Sequence, residues 1–345
     1  MDFVAVDPRD DAAYMEWFGV LQRSERFRDQ RENGGWQPEE WRARALVPTA
    51  GTLIHLYGLR HEGRLVAVGA LHVTEDDRDT CEADLFVEPE CRRRGYGTIV
   101  LGELERRVEE WGRTSIVVRI IEGAHEVGDG PNRHFAPRQG YQLADHSVRR
   151  DLAWPIETET LDMLEATWLP YASGYHFVSW KDSAPEQFLS GLAGVKGRVM
   201  VEAPYENYDP NEIPWTPERI REHESMVSNM GRHLFVSIAL DDATNELAGF
   251  TELTSSTTDP SVAYQWETFV SGPHRGHRLG GLLKIRNLRN AAPWCMQTDT
   301  ISTFNSSLNW PMIAVNEALG ARVTGAMVLW RKSCLLSHDE LEPNS

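Results

Sequence analysis

The chain of 345 residues lacks the features that mark secreted, membrane-spanning and nucleic-acid-binding proteins. No apolar run approaches the roughly 20 residues that a membrane-spanning helix needs. The N-terminal segment has neither the basic stretch nor the apolar stretch of a signal peptide, so we expect a cytoplasmic protein. The formal net charge of −17 would repel duplex DNA and anionic lipid, so we expect neither nucleic acid nor membrane as a partner.

Cysteine and lysine are also scarce. The four cysteines show no CxxC or other metal-ligand spacing, so we expect free thiols and no metal site. Only four of the 35 basic residues are lysines, a bias to which we attach no functional meaning. Hydrophobic residues make up 41% and charged residues 25% of the chain, as in ordinary globular proteins. The length allows two domains, each with its own core.

What the sequence does contain is a turn rich in glycine and arginine that occurs twice. Each copy follows an extended segment and opens directly into an amphipathic helix. The copies are Arg92-Arg93-Arg94-Gly95-Tyr96-Gly97 and Arg275-Gly276-His277-Arg278-Leu279-Gly280. They lie 183 residues apart (275 − 92), an offset that also superposes Val87 on Val270 and Asp84 on Glu267. Such a repeat predicts two copies of a whole domain.

A strand, a glycine-rich loop and a helix in this order predict an anion site. The backbone N–H groups ahead of the helix and the positive end of its dipole attract a phosphate or pyrophosphate group. Glycine lets the backbone approach the anion closely and adopt positive φ angles. We therefore expect each loop to bind a pyrophosphate.

Both loops resemble the Arg/Gln-x-x-Gly-x-Gly/Ala pyrophosphate loop of the GNAT superfamily of acyl-CoA-dependent N-acyltransferases. Arg92-x-x-Gly95-x-Gly97 fits the pattern, and Arg275-x-x-Arg278-x-Gly280 fits it with an arginine where glycine is usual. The Arg278 side chain would either clash with the pyrophosphate or pair with one of its phosphates. We favour pairing, because a loop side chain that faces solvent can move aside.

Further positions in the second half resemble the tandem GNAT proteins of actinobacteria. They are Gln265, Thr268 and Val270 before the loop, and Asn305, Asn309, Met312 and Asn316 after the following strand. In plan the chain is similar to mycothiol synthases, with two GNAT halves of which the C-terminal one performs the chemistry. We expect the same division here.

The resemblance implies an α/β fold with a mixed α+β sheet in two tandem domains, residues 1–153 and 160–336. Each domain would be a mostly antiparallel sheet flanked by helices, with a splayed strand pair at the CoA site. The order β-β-β-loop-α-β-α-β agrees with the periodicity of both halves. We expect the segment Tyr141–Leu152 to close the sheet of the first domain and Val323–Trp330 to close that of the second.

The resemblance also implies acyl transfer, in the first place of acetyl, from acyl-CoA to an amine. We expect acetyl-CoA or another acyl-CoA as co-substrate, a small-molecule amine as acceptor, and a monomer with an internal pseudo-dimer or a homodimer. The cofactor would contact both loops, the backbone near the preceding valines, and two asparagines. These residues are Val87, Arg92, Arg93, Arg94, Gly95, Tyr96, Gly97, Val270, Arg275, Gly276, His277, Arg278, Leu279, Gly280, Asn305 and Asn309.

Glu267 is our first choice for the general base that deprotonates the acceptor, directly or through water. Tyr264 and Gln265 are nearby alternatives, and a solvated strand residue is the competing interpretation of Glu267. Many GNAT enzymes protonate the leaving thiolate with a tyrosine four residues before the glycine that ends the last helix. That position holds Asn316, which leaves the acid unassigned, although a thiolate with a pKa of about 8.5 leaves readily.

Two further expectations concern the acceptor and the alternative function. The segment Glu202–Trp215 is long, irregular and aromatic, which predicts a lid that narrows the acceptor cleft. The missing tyrosine also favours an alternative, a non-catalytic CoA-binding or scaffold protein with degenerate sites. Catalysis requires Glu267, whereas both functions require the loop Arg275–Gly280.

Overall fold

One twelve-stranded sheet with helices on both faces forms the protein. The computed structural model describes residues 1–29, 35–48, 51–124, 130–207 and 214–334. The strands are β1 (Asp2–Val6), β2 (Thr52–His61), β3 (Arg64–Thr74), β4 (Thr80–Val87), β5 (Ser115–Gly123), β6 (Gln142–Ala153), β7 (Tyr175–Lys181), β8 (Arg232–Asp241), β9 (Leu247–Ser256), β10 (Val262–Val270), β11 (Thr300–Ser306) and β12 (Arg322–Ser333). The predicted mixed sheet flanked by helices is confirmed.

The helices follow the predicted order in both halves. They are α1 (Asp11–Asp29), α2 (Pro38–Leu46), α3 (Tyr96–Glu110), α4 (Pro131–Arg138), α5 (Thr158–Trp168), α6 (Leu189–Gly197), α7 (Val199–Glu202), α8 (Pro217–Asn229), α9 (Leu279–Ala291) and α10 (Trp310–Ala318). Within the described ranges, none is long and apolar enough to span a membrane. The four cysteines carry free, buried thiols, as predicted.

The two halves exchange their last strands. The strand order is β1-β2-β3-β4-β5-β12-β6-β11-β10-β9-β8-β7. β12 pairs along β5, from Ser333 opposite Ser115 to Gly325 opposite Gly123, and β6 pairs with both β12 and β11. The expectation that Tyr141–Leu152 closes the first sheet is therefore wrong, because β6 extends the sheet of the second half. Likewise, β12 completes the first half.

The cores follow this exchange. Val328 and Trp330 of β12 pack in the core of the first half with Val100 and Leu104 of α3. Leu152 of β6 packs in the core of the second half, around α9. Each last strand thus lies between two others and has no exposed edge. The domain limits 1–153 and 160–336 stay a prediction about the order along the chain.

The sheet of the second half carries helices on opposite faces. Alternate residues of β8 point to opposite sides because the side-chain period of a strand is two. Phe235 and Ala239 belong to the core shared with α5 and α9, whereas Val236 and Ile238 belong to the core shared with α6 and α8. These are called the α9 face and the α6/α8 face below.

A buried ion pair joins the two halves. Arg232 Nε of β8 lies 2.7 Å from Glu40 Oε1 of α2, and the two side chains are 3% and 0% exposed. Near the surface, Arg219 pairs with Asp76 at 2.7 Å. Breaking a buried pair from one side leaves an uncompensated charge in the interior. The contact therefore ties the halves together in one orientation.

We expect Arg232→Met to lower the free energy of unfolding by about 3 kcal/mol, because it strands the Glu40 carboxylate. Adding Glu40→Gln should recover most of the loss, since the second substitution removes the stranded charge. Urea unfolding of wild type and both variants measures the effect. Equal midpoints for Arg232→Met and wild type would show that the pair has no role in stability.

Candidate active site

In the second half, the parallel strands β10 and β11 separate part-way along their length. They pair at three positions, the last of which joins Tyr264 to Ser302. Beyond it, β10 continues to Val270 paired with β9, and β11 continues to Ser306 paired with β6. We call the resulting gap the C-terminal fork. β4 and β5 likewise pair only from Thr80 to Ala83 and form an N-terminal fork.

β10 carries a bulge at its fork, whereas β4 pairs regularly with β3 along its whole length. Two residues, Trp266 and Glu267, lie between Gln265 and Thr268 where β9 has one residue. The offset of 183 therefore holds from Thr268 onward and changes by one before it. Asp84 therefore corresponds to both Trp266 and Glu267, and not to Glu267 alone.

Buried polar side chains hold the bulge in place. Gln265 Nε2 donates to Thr251 Oγ1 at 3.0 Å and to the backbone carbonyl of Glu267 at 3.2 Å. Thr251 Oγ1 also donates to that carbonyl at 3.1 Å and lies 2.7 Å from Thr268 Oγ1. Bulges re-aim side chains and are frequent next to active sites. Here the bulge directs Glu267 to the α6/α8 face.

The two glycine-rich loops share one backbone path. Their second and fourth residues adopt positive φ: 61° at Arg93 and 86° at Gly95, then 91° at Gly276 and 57° at Arg278. Glycine and arginine have thus changed places between the loops. In each loop one arginine occupies the left-handed region, which costs an L-residue about 1–2 kcal/mol. The departure at Arg278 leaves the loop conformation unchanged.

The first arginine of each loop bonds back to the preceding strand. Arg275 Nε donates to the Val270 carbonyl at 3.0 Å, and Arg92 Nε donates to the Val87 carbonyl at 3.4 Å. The Arg275 guanidinium also pairs with Glu202 at 2.7 Å. These side chains shape the loop, so an anion would meet backbone amides first.

The last glycine of each loop lies close to a neighbouring element, which is β4 for Gly97 and α10 for Gly280. A Cβ at Gly97 would lie 3.4 Å from Val87, and a Cβ at Gly280 would lie 3.3 Å from Met312. Open space surrounds Gly95 and Gly276, where a Cβ would meet nothing within 4 Å. Each loop is therefore closely packed at its last glycine and open at its inner glycine, as an anion site requires.

Glu267 belongs to a buried charge network on the α6/α8 face. Lys196 Nζ of α6 lies 2.9 Å from Glu267 Oε2 and 2.9 Å from Glu252 Oε1. The side chains of Lys196 and Glu252 are 2% exposed, whereas that of Glu267 is 39% exposed. His223 Nε2 lies 3.3 Å from Glu252 Oε2. Among the described residues, Glu267 Oε1 has no hydrogen-bond partner.

The network fixes the charge of Lys196. Burial alone would lower the pKa of Lys196, but the carboxylates of Glu252 and Glu267 raise it above its ordinary value. Burial alone would raise the pKa of Glu252, but Lys196 and His223 hold it well below its usual range. Lys196 therefore stays an ammonium and is not a base.

Aromatic side chains surround this network. The rings of Trp215 and Trp266 pack against His223, with centroids 5.8 and 5.7 Å away. Lys196 Nζ lies 4.8 Å from the centroid of the Trp215 ring. Aromatic rings thus border His223 and Lys196 of this network, and apolar surroundings strengthen electrostatic interactions.

The predicted lid Glu202–Trp215 is only partly within the described residues, because 208–213, including Tyr208, lie outside them. Its first part is attached to β6. The backbone N–H of Asn207 donates to the Ala144 carbonyl at 2.9 Å, and that of Glu206 donates to Asp145 at 3.3 Å. The exchanged strand therefore anchors this segment.

The three predicted asparagines, Asn305 on β11, Asn309 before α10 and Asn316 on α10, bond to one another and to the backbone. Asn316 is buried and donates to Asn305 Oδ1. Asn309 caps α10 by accepting from the Met312 N–H at 3.3 Å. Tyr264 is half-buried at the last paired position, with the Arg232 guanidinium 5.1 Å from its ring centroid. The functional roles assigned to these side chains stay predictions.

In the N-terminal fork the candidate carboxylates already have cationic partners. Asp84 lies 2.8 Å from His72 Nε2, and Glu82 pairs with Arg119 at 2.6 Å. Burial would raise the pKa of Asp84, but Arg119 and His72 lower it strongly. Asp84 is also buried. Asp84 is therefore held as a carboxylate in the interior, whereas the Glu82 side chain is 47% exposed.

Comparison with known proteins agrees with this geometry. Residues 14–141 match the model of the Acetyltransferase (GNAT) family. A tandem GNAT protein from the clavulanic acid biosynthesis pathway superposes with a TM-score of 0.78 at 24% identity, covering 97% of this chain and 99% of that one. The chain has a tandem GNAT fold. No protein of curated function matches the sequence.

Two further structures share the GNAT fold. A GCN5-related N-acetyltransferase from Sphaerobacter thermophilus has a TM-score of 0.62 at 14% identity, covering 97% of this chain and 96% of that one. Saccharomyces cerevisiae N-myristoyltransferase, solved with bound myristoyl-CoA, has a TM-score of 0.54 at 12% identity, covering 96% and 77%. These likenesses concern the fold.

Sequence reasoning missed Lys196, His223 and Lys284 in this GNAT fold. The two lysines lie on apolar helix faces, since Lys196 follows the buried Leu192 by four positions and Lys284 precedes the buried Leu288 by four. A lysine at such a position is buried and needs a partner or a function. That spacing is the signal that could have found them.

We expect Arg278→Gly to raise the free energy of unfolding by about 1 kcal/mol, because it removes a left-handed L-residue. The matched Arg94→Gly, in the other loop at ordinary φ, should instead lower it by about 0.5–1 kcal/mol through backbone entropy. Urea unfolding distinguishes the two. Destabilisation of equal size in both variants would contradict the strain at Arg278.

Proposed function

We propose that the C-terminal half transfers an acyl group, in the first place acetyl, from acyl-CoA to the amine of a small-molecule acceptor. The observation that supports the proposal is the bulged fork, whose extra residues include Glu267 with a side chain that is 39% exposed. The loop Arg275–Gly280 would hold the pyrophosphate through backbone N–H groups at the start of α9. The bound co-substrate would supply an activated thioester.

In this mechanism Glu267 takes the proton of the acceptor ammonium through its unpartnered Oε1, directly or through water. Lys196 holds the other oxygen at 2.9 Å and thereby orients the carboxylate. A base must lie within hydrogen-bond reach of the proton it removes, and the 39% exposure of the side chain permits that approach. The backbone of β10 beyond Tyr264, unpaired toward β11, would supply donors for the carbonyl oxygen.

The acceptor would be a small molecule. Trp215 and Trp266 narrow the space on the α6/α8 face, and the attachment of Glu206 and Asn207 to β6 limits it from the other side. A cationic amine suits an acidic protein, because opposite charge speeds encounter. The N-terminal half would bind CoA and support the fold. Because the exchanged strands build both sheets within one chain, we propose a monomer.

The second candidate is a CoA-binding scaffold without catalysis. Asn316 favours it, because it occupies the position of the proton-donating tyrosine and its amide is bonded to Asn305. Both functions require an intact loop, and only catalysis requires Glu267.

Calorimetric titration of acetyl-CoA tests where the cofactor binds. His277→Glu and the equivalent Arg94→Glu each add a carboxylate beside one loop, which should repel the pyrophosphate and weaken binding there by about tenfold or more. Arg9→Glu, exposed and outside both loops, is the control. Loss of binding in His277→Glu alone would locate the site in the C-terminal half. Unaltered binding in both loop variants would overturn the loop assignment.

Glu267→Gln tests the chemistry. We expect turnover to fall by about a hundredfold, because a carboxamide cannot accept the proton, while acetyl-CoA affinity stays near wild type. Glu222→Gln, an exposed position on α8, removes the same charge away from the fork and should leave turnover unchanged. Equal turnover in Glu267→Gln and wild type would refute Glu267 as the base.

A further inference from the structure

Lys284 is a buried amine without a counter-charge. It lies on α9, nine residues after Arg275, and is 3% exposed. In the described part of the chain, no side chain forms a hydrogen bond or ion pair with its Nζ. The equivalent position in the N-terminal half (284 − 183) is Leu101, which is 2% exposed. The fold therefore accommodates an aliphatic residue here, and the amine needs another explanation.

The side chain lines a partly open cavity of about 10 Å³, which is room for about one water molecule. Three polar side chains, Gln265, Thr303 and Asn316, line it with Lys284, and the other lining residues are aliphatic. Gln265 and Thr303 are the first residues of β10 and β11 beyond the last paired position. The cavity thus lies at the apex of the C-terminal fork, on the α9 face.

No charged group other than Lys284 lines the cavity. Several charged side chains on the surrounding elements form ion pairs away from the cavity. They are Glu252 of β9 and Glu267 of β10 with Lys196, Glu165 of α5 with Arg286 and Arg289, Glu317 of α10 with Arg150 of β6, Arg232 of β8 with Glu40, and Lys181 of β7 with Asp182. Burial without a counter-charge lowers the pKa of Lys284 to about 7.

We propose that Lys284 is the proton donor of the C-terminal site and protonates the departing thiolate, directly or through one water in the cavity. The proposal rests on the proposed acyl transfer. The acceptor nitrogen, already deprotonated by Glu267, bonds to the thioester carbon and releases its second proton to solvent. The C–S bond breaks with its electron pair on sulfur, and a proton moves from Nζ to sulfur. Neutral Nζ then regains a proton from solvent.

The placement separates the two proton transfers. Glu267 lies on the α6/α8 face and Lys284 on the α9 face, so β10 stands between the base and the donor. The two groups therefore do not neutralise each other. Glu267 acts where the C–N bond forms, and Lys284 acts where the C–S bond breaks. Asn316 lines the same cavity, which explains how a site without a tyrosine there retains a donor.

The pH dependence of turnover tests the role. In wild type, kcat should fall above a pH of about 7 as Lys284 loses its proton. Lys284→Leu should lack this fall and lower kcat by about a hundredfold at neutral pH, with an unchanged KM for acetyl-CoA. Leu101 indicates that leucine packs at this position. Lys332→Leu, on β12 in the first half, is the matched control and should behave as wild type.

Lys284→Arg separates proton donation from charge. Arginine keeps the positive charge but holds its proton at neutral pH, so kcat should stay as low as in Lys284→Leu. Recovery of wild-type kcat in Lys284→Arg would mean that charge alone suffices, and would overturn the proposal. An unchanged pH profile in Lys284→Leu would overturn it as well.

A readout independent of activity uses the scarcity of lysine. With lysine labelled at Nζ with ¹⁵N, nuclear magnetic resonance shows four side-chain signals, and the one lost in Lys284→Leu is assigned. Its titration midpoint should lie near 7. A midpoint near that of free lysine would overturn the donor role and leave the proposed function intact. Failure to acylate any amine would instead overturn the proposed function and the donor role with it.

Discussion

The gap between β10 and β11 is the constraint around which the second half is built, because the backbone groups of both strands need other hydrogen-bond partners there. Both strands are held by other neighbours. β10 keeps its ladder with β9 through the bulge, and β11 pairs with β6 over seven positions from Thr300 to Ser306. β6 belongs to the first half of the chain. The strand exchange therefore keeps the C-terminal fork open, and a site in one half depends on a strand of the other.

The two halves share a scaffold but differ in the side chains at their forks. Both have a fork, a loop with two left-handed residues and a closely packed helix. Within the described residues, only the second has a bulge at its fork and a buried lysine at the position of Leu101. In the first, Asp84 is bonded to His72, and Leu101 fills the place of Lys284. These differences support the proposal that the N-terminal half has a structural role.

The sequence predicted the local features well. The glycine and arginine spacing of the loops is short-range, and so is the apolar period of α3 and α9, so both could be read from neighbouring residues. The strand exchange could not, because β6 and β12 both carry strand-like alternation and nothing in either selects its partner. The bulge was hidden for a related reason. Trp266 and Glu267 continue a strand pattern, and only the ladder with β9 reveals the extra residue.

The site residues that the sequence did not reveal are those whose function depends on partners far away along the chain. Lys196 acquires its role from Glu252 and Glu267, which follow it by 56 and 71 positions. The cavity around Lys284 is lined from β6, β10, β11 and α10. Periodicity shows that a lysine faces the core, but it does not show whether a carboxylate lies beside it.

The two buried lysines show how the same side chain acquires opposite properties. Lys196 lies between two carboxylates, so its pKa is raised and it remains charged. Lys284 has no carboxylate nearby, so burial alone acts and its pKa falls to about 7. The first is suited to orient Glu267 without exchanging its proton, and the second to exchange its proton without competing for Glu267. The carboxylates that pair with Lys196 do not line the cavity of Lys284. In the proposed mechanism, the base and the proton donor therefore act from opposite faces of β10.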